Sequence, residues 1–502
     1  MKQHLKQYLK QYYWLLLLTL LIALSLALGT EGQAVAQNRW SPQQRIPNYG
    51  NESFPPYMVA DLNKTVHVFN YQQIPNAGKT QAIFYRQWSL ERGWSKPVDI
   101  LLSPIHDAPQ LQGVVLDKTG MFHLIFFAGN ELEGSIYYSK APAVDAGRAP
   151  AWMKPRLILR NAGPFPYAAL ATDDTGKLFI VYAGEQAGIG LYETHSLDNG
   201  ENWSNPATIA LTYSDVLWPQ AINMTIDPEG VLHMLWSTWN QTGTSDAVNY
   251  ANLPPPYQQW SQPQVLATRD PDDYEADWGS IISYHGELIV LYQDGKPATK
   301  WMVRSNDGGK SWSPPVHPWD LVGEYRAARM LVDSKDQLHV LLGDRNGDCC
   351  HGTWHGLWQN GSWSALEPLV MAPKSPTYDP SAQQAVLSQG NVLLATWWTD
   401  TGGGPRNGAW FSYGILDAPE LPVVALATSV PIPTNVPPTP RAVATEITTP
   451  EIAQPNSVPV PPSDRAATTA NPLWAIVFGI TPAVMVILAA IALQRMKKRS
   501  RN

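Results

Sequence analysis

The sequence predicts an all-β fold, a seven-bladed β-propeller, and three observations carry that prediction. A tryptophan beside Ser, Lys or Pro residues recurs at Trp40, Trp94, Trp152, Trp203, Trp260, Trp312 and Trp363, at intervals of 51 to 58 residues. Each unit also holds a turn, usually acidic, followed by a short apolar run, as in Asp117 to Gly120 before Phe122 or Asp227 to Gly230 before Val231. The apolar runs are short and set between Gly or Pro turns, which suits strands rather than helices. Self-similarity at about 40–50 residues marks a sheet repeated around an axis. A six-bladed ring, with one segment misread, is the alternative count.

In chain order, residues 1–36 read as an export signal. Lys2, Lys6 and Lys10 precede an apolar core at 14–28, and Ala34-Val35-Ala36 forms a cleavage site; an uncleaved anchor helix is the alternative. Residues 37–416 form the propeller. The first Trp-Ser-Pro segment, at 39–47, has no unit before it, and the last unit, ending near Leu416, has no such segment of its own. The N-terminal segment is therefore expected to supply the outer strand of the last blade and close the ring.

Two turns are nearly identical. Ser196-Leu197-Asp198-Asn199-Gly200-Glu201-Asn202-Trp203 and Ser305-Asn306-Asp307-Gly308-Gly309-Lys310-Ser311-Trp312 share Ser, Asp, Gly and Trp at the same spacing. Their roles read as structural: the carboxylate accepts turn amides, the Gly takes positive φ, and the Trp covers the hairpin. His67, His123, His233 and His339 each fall at the same place in the apolar run of their unit. A repeated packing or hydrogen-bonding role explains that better than a single metal centre.

After Leu416 the composition changes. Residues 417–471 are rich in Pro and Thr, with no aromatic residue, and read as a semi-extended stalk. Residues 472–494 are uncharged and long enough to cross a bilayer. The basic tail at 495–502 is expected to be cytoplasmic, which makes the protein an exported, single-pass membrane protein with its propeller outside. The net charge of −7, with no basic face before the C-terminus, argues against a nucleic-acid partner. The adjacent Cys349 and Cys350 exclude a long-range disulfide. No ligand spacing recurs around His351 and His355, so neither a metal nor a cofactor is expected.

The Ser-x-Asp-x-Gly-x-x-Trp turns at Ser196 and Ser305 resemble the Asp-box, or BNR repeat, of the sialidase superfamily, and degenerate copies extend the resemblance across residues 39–416. That family acts through arginines that hold a substrate carboxylate, a Tyr–Glu nucleophile pair and an Asp acid/base. The resemblance implies looking for such groups where inner strands begin at the central mouth. There the sequence offers Arg326 and Arg329, with Tyr325, Trp218 and Tyr167, for substrate binding. For catalysis it offers Tyr378, Tyr274, Glu275, Asp277 and Asp379. Arg45, in an Arg-Ile-Pro triplet like the family's, falls instead in the closing segment. The competing interpretation makes these ordinary mouth residues joined in structural ion pairs. The expected partner is an extracellular glycan or a surface protein. Two roles stay open: glycan recognition, with exo-α-sialidase chemistry if the domain is an enzyme, or a non-catalytic protein-binding, assembly or adhesion platform.

Overall fold

The computed structural model describes residues 39–50, 56–78, 80–105, 108–129, 134–160, 167–173, 175–212, 217–240, 244–270, 276–295, 298–319, 327–346, 350–372, 380–399 and 408–426. The expected export signal, most of the stalk, the membrane span and the basic tail lie outside them, as do Tyr274, Glu275, Tyr325, Arg326, Tyr378, Asp379 and Cys349. Among the described residues no helix is long and apolar enough to cross a membrane.

Seven sheets follow one another along the chain, each an antiparallel meander. Their inner strands are Tyr57–Ala60, Gln110–Leu116, Ala168–Thr172, Leu217–Ile226, Asp277–Tyr284, Arg329–Val332 and Pro380–Ser388. The seventh sheet is completed from the other end of the chain: Gln44–Arg45 pairs with Gly408–Ile415, with Gln44 opposite Phe411 and Arg45 opposite Trp410, and Trp40 bridges Gly414. The first described segment is thus the outer strand of the last blade, and Arg45 belongs to this closure, away from the mouth.

The core is distributed. Seven apolar clusters lie one at each seam between neighbouring blades. The seam between blades seven and one joins Val66 and Val68 to Leu394, Phe411 and Ile46 of the closing segment. Each blade shields only one face of its neighbour, so the apolar surface is covered only when the ring is complete.

Blade five departs from the four-stranded expectation. Among the described residues it has three strands, and its outer position is held by a single bridge between Met302 and Val316. The preceding Ser313-Pro314-Pro315 explains this, since proline has no N–H to give a sheet ladder.

The recurring histidines have a repeated hydrogen-bonding role. In blades one, two and four, one oxygen of the turn aspartate accepts turn amides, such as Thr119 N–H on Asp117 at 2.9 Å. Its other oxygen meets the histidine Nε2, at 3.1 Å for Asp61–His67 and Asp117–His123 and 3.0 Å for Asp227–His233. Nδ1 then accepts a tyrosine hydroxyl from the next strand, at 2.7 Å from Tyr85, Tyr138 and Tyr250. One proton on each ring satisfies both contacts.

These relays meet the Ser-x-Asp-x-Gly-x-x-Trp turns of the following blade. Tyr138 Oη lies 3.5 Å from Asn199 O, and Tyr250 Oη 3.3 Å from Gly308 O. A Cβ at Gly200 or Gly309 would strike these hydroxyls. Within each turn, Ser Oγ donates to the aspartate at 2.8 Å and accepts the Gly N–H, at 2.8 Å for Gly200 and 2.9 Å for Gly309. The tryptophan also reaches across the seam. Trp203 sets its edge against Tyr138, centroids 5.3 Å apart, and Trp312 against Tyr250 at 4.9 Å. The repeated tryptophan is therefore a seam residue.

The chain also remains on the propeller beyond residue 416. Residues 417–426 run across the face that carries the acidic turns. Leu421 exchanges backbone and side-chain bonds with Gln389 at 2.9 Å, and Val424 N–H reaches Leu62 O at 2.8 Å. Lys64 pairs with Glu420 at 2.7 Å and Lys335 with Asp417 at 3.1 Å. This strap spans blades six, seven and one, where the N-terminal strand closes the ring.

Candidate functional site

Inner strands run from the central mouth to the acidic turns, so their first residues converge on the axis at the face opposite the strap. A cavity of about 520 Å³ opens there. Its walls are of three kinds. Tyr57, Tyr71, Tyr167, Trp239 and Trp278 supply aromatic surface; Asn70, Gln110, Gln112, Gln220 and Gln384 supply amides; Arg329 is the cation, and no carboxylate stands among the described lining residues.

The backbone is bent to build this wall. Pairing slips between Gln220 and Asn223 in blade four, Asp277 and Ser280 in blade five, and Ser381 and Gln384 in blade seven. Inside each slip a non-glycine residue is left-handed: Ala221 at φ 50°, Trp278 at φ 51° and Ala382 at φ 52°. Such conformations cost on the order of 1–3 kcal/mol each and tend to gather where a side chain must be re-aimed. Here the bulges bring Gln220, Trp278 and Gln384 to the cavity. Trp278 meets Trp239 edge to face, centroids 5.8 Å apart.

The blade-seven bulge also presents the Gln383 carbonyl, which accepts from Arg329 Nε at 3.3 Å. That bond orients the guanidinium, and among the described residues no carboxylate pairs with it. Burial presses the Arg329 pKa below its ordinary value, while neighbouring Tyr57 acts in the opposite direction. Crowding by the surrounding wall pushes Tyr57 up to about 12, against the pull of Arg329, although the residue is 37% exposed to the open mouth. Tyr57 is therefore a neutral hydrogen-bonding phenol at physiological pH, not an activated nucleophile.

Beneath Asn70 lies a second, fully buried arginine, Arg86. It donates to Pro47 O at 2.6 Å, Asn70 Oδ1 at 3.3 Å and Gln72 Oε1 at 3.4 Å, and stacks over Tyr49 at 5.0 Å. Its pKa is lowered to about 10, chiefly by burial. Arg86 ties the segment after the closing strand to the wall of the mouth.

The sequence-derived candidates separate accordingly. Tyr167 and Arg329 line the cavity. Trp218 is buried, and its cross-strand partner Trp239 takes the mouth position. Asp277 is wholly buried at the start of its strand, outside the lining. Tyr274, Glu275, Tyr325, Arg326, Tyr378 and Asp379 lie outside the described residues. Sequence reasoning missed Gln384 and Trp278, which depend on bulges, Gln112, which sits in a further slip between Leu111 and Gly113 of blade two, and Asn70, Tyr71 and Trp239, which come from second strands. Among the described residues no cluster of His, Cys, Asp or Glu could hold a metal ion.

No family model matches the chain, and no curated protein matches it. Similar solved structures include an ulvan lyase of a new polysaccharide lyase family, bound to -[GlcA(1-4)Rha3S]-. It is 13% identical with a TM-score of 0.49, covering 75% of this chain and 96% of that one. A fungal alcohol oxidase in complex with copper is 15% identical with a TM-score of 0.49, covering 75% and 76%. The NanB sialidase from Streptococcus pneumoniae is 11% identical with a TM-score of 0.40, covering 74% and 70%. At this distance, what the chain does has to be argued from its own mouth.

Proposed function

We propose that the mouth binds an acidic oligosaccharide outside the cell, with the propeller held at the membrane by the C-terminal segment. The observation that carries this reading is the cavity wall itself. Aromatic faces suit the apolar faces of sugar rings, side-chain amides suit hydroxyls as both donors and acceptors, and one oriented guanidinium suits a carboxylate or sulfate. A volume near 520 Å³ is within the usual range for small-ligand sites. The strap leaves by the opposite face and does not cover the mouth.

Recognition, rather than hydrolysis, is the activity these residues support. Glycoside cleavage needs a proton donor and a nucleophile or base beside the scissile bond. Tyr57 lacks a described base and Asp277 is shut away, so exo-sialidase chemistry would have to come from Tyr274, Glu275, Arg326, Tyr378 or Asp379.

The test is a glycan array probed with the full-length chain, wild type and Arg329→Ala, alongside turnover of a fluorogenic sialoside. Binding to uronic, sialic or sulfated glycans that is lost in the variant is expected. No glycan binding by the wild-type chain would overturn the reading in favour of a protein-docking platform, and sialoside turnover would add catalysis to it.

A further inference from the structure

Blade six carries a variant of the Asp–His–Tyr relay. His355 stands where blades one, two and four have tyrosine. Its Nε2 lies 2.8 Å from His339 Nδ1, and its own Nδ1 lies 2.8 Å from Glu367 Oε1. At the far end His339 Nε2 meets Asp333 Oδ2 at 3.1 Å. Both rings are buried. The outer end faces the closing segment: Arg39 reaches Glu367 at 3.5 Å, and Trp40 sets its edge on His355 with centroids 5.2 Å apart. Trp40 thereby takes the seam position that Trp203 and Trp312 hold elsewhere.

Counting protons separates this relay from the others. Both carboxylates only accept, so His339 Nε2 and His355 Nδ1 must each carry a proton, and the bond between the rings needs a third. Two neutral imidazoles hold two protons. We propose that His339 and His355 share one extra proton between Asp333 and Glu367, and that this shared charge makes the N-terminal closure of the ring pH-sensitive.

The charged groups facing the pair are Asp333 from the turn, Glu367 from the outer strand and Arg39 from the N-terminal segment. Burial lowers the His339 pKa, against its bond to Asp333. The His355 bond in turn holds the Glu367 carboxyl below its ordinary value.

The pH dependence follows from linkage. With the closure engaged, the pair holds one extra proton. Release takes Trp40 and Arg39 off the outer end of the relay and opens the pair to water, where an imidazole holds the extra proton below pH ~6.5 and gives it up above. Engagement is therefore strongest below that value. It weakens as pH rises, by up to about tenfold per unit, until the engaged pair gives up its own proton. In His355→Tyr or Glu367→Gln the relay is complete with neutral rings, since Tyr can donate to His339 and Gln to His355. Engagement in those variants should not change above pH ~6.5.

The experiment is amide hydrogen exchange of the full-length chain between pH 6.5 and 8.5, corrected for intrinsic rates and read on peptides covering residues 39–46. Wild-type protection is expected to fall with pH while both variants stay level; if either substitution prevents folding, the other carries the comparison. A level wild-type profile, or variants that fall in parallel with it, would overturn the proposal. Nitrogen-15 histidine spectra near pH 6.5 give an independent reading: three ring N–H groups on this pair are expected, and two would overturn it.

Discussion

At the scale of residues, the chain spends buried polar groups on joining blades. Gly309 shows how tightly: it sits at φ 82° with the Tyr250 hydroxyl where its Cβ would go. Gly309→Ala must strain the turn and displace that hydroxyl, and overpacking of this kind costs about 1–3 kcal/mol beyond the left-handed penalty. Urea denaturation is expected to show a lower midpoint, with a larger drop than for Gly308→Ala, whose Cβ would meet open space. Tyr250→Phe should cost about 1–3 kcal/mol by leaving a buried imidazole nitrogen without its donor. The turn aspartates predict behaviour in acid. Turn amides and side chains, Asn202 for Asp198 and Ser311 for Asp307 first among them, hold both pKa values down to about 2. Their folded values lie below the ordinary one, so their stabilisation is complete above pH 4 and is lost as pH falls towards 2. Asp307→Asn should flatten that part of the acid-unfolding curve.

At the scale of elements, closure is the weak point of any ring, and this one is closed twice. The N-terminal strand completes blade seven, and the strap at 417–426 crosses the same seam on the turn face. Trp40, 4% exposed, anchors the first closure; Trp40→Ala should cost about 3–5 kcal/mol. Removing residues 417–426 should destabilise the ring less, because the strap is mostly exposed, and limited proteolysis should then cut first near Lys64 or Lys335. The first closure was readable in the sequence, because an unmatched Trp-Ser-Pro at one end answered a missing one at the other. The strap was not, since Leu421, Val424 and Leu426 sit in a proline-bearing stretch that looks like stalk. The two-histidine relay was half readable. His339 matched the repeat, but His355 could be paired with it only through strand register, Leu341 lying opposite His355.

At the scale of the whole molecule, seven seams and a single axis place the mouth at the starts of the inner strands, as the repeat predicts. Tyr57, Gln110, Tyr167 and Gln220 could be found that way. The bulges at Ala221, Trp278 and Ala382 could not, because nothing in those residue types demands a positive φ. Arg329 was found as a residue near a strand start. Its orientation comes from the Gln383 carbonyl of the next blade, a contact set by ring geometry. If that guanidinium holds an anionic sugar, Arg329→Ala should weaken binding by about 1.5–3 kcal/mol, roughly ten- to a hundredfold. Trp239→Ala should weaken acidic and neutral glycans alike, as calorimetry on the full-length chain would show.

The most direct test of the mouth as the binding site is a hydrogen-exchange footprint of the full-length chain with and without an acidic oligosaccharide selected on the array. Protection is expected in peptides around Tyr57, Gln110 to Gln112, Arg329 and Ala382 to Gln384, with the turns at Asp198 and Asp307 unchanged. Protection confined to the turn face, with the mouth unaffected, would contradict the account.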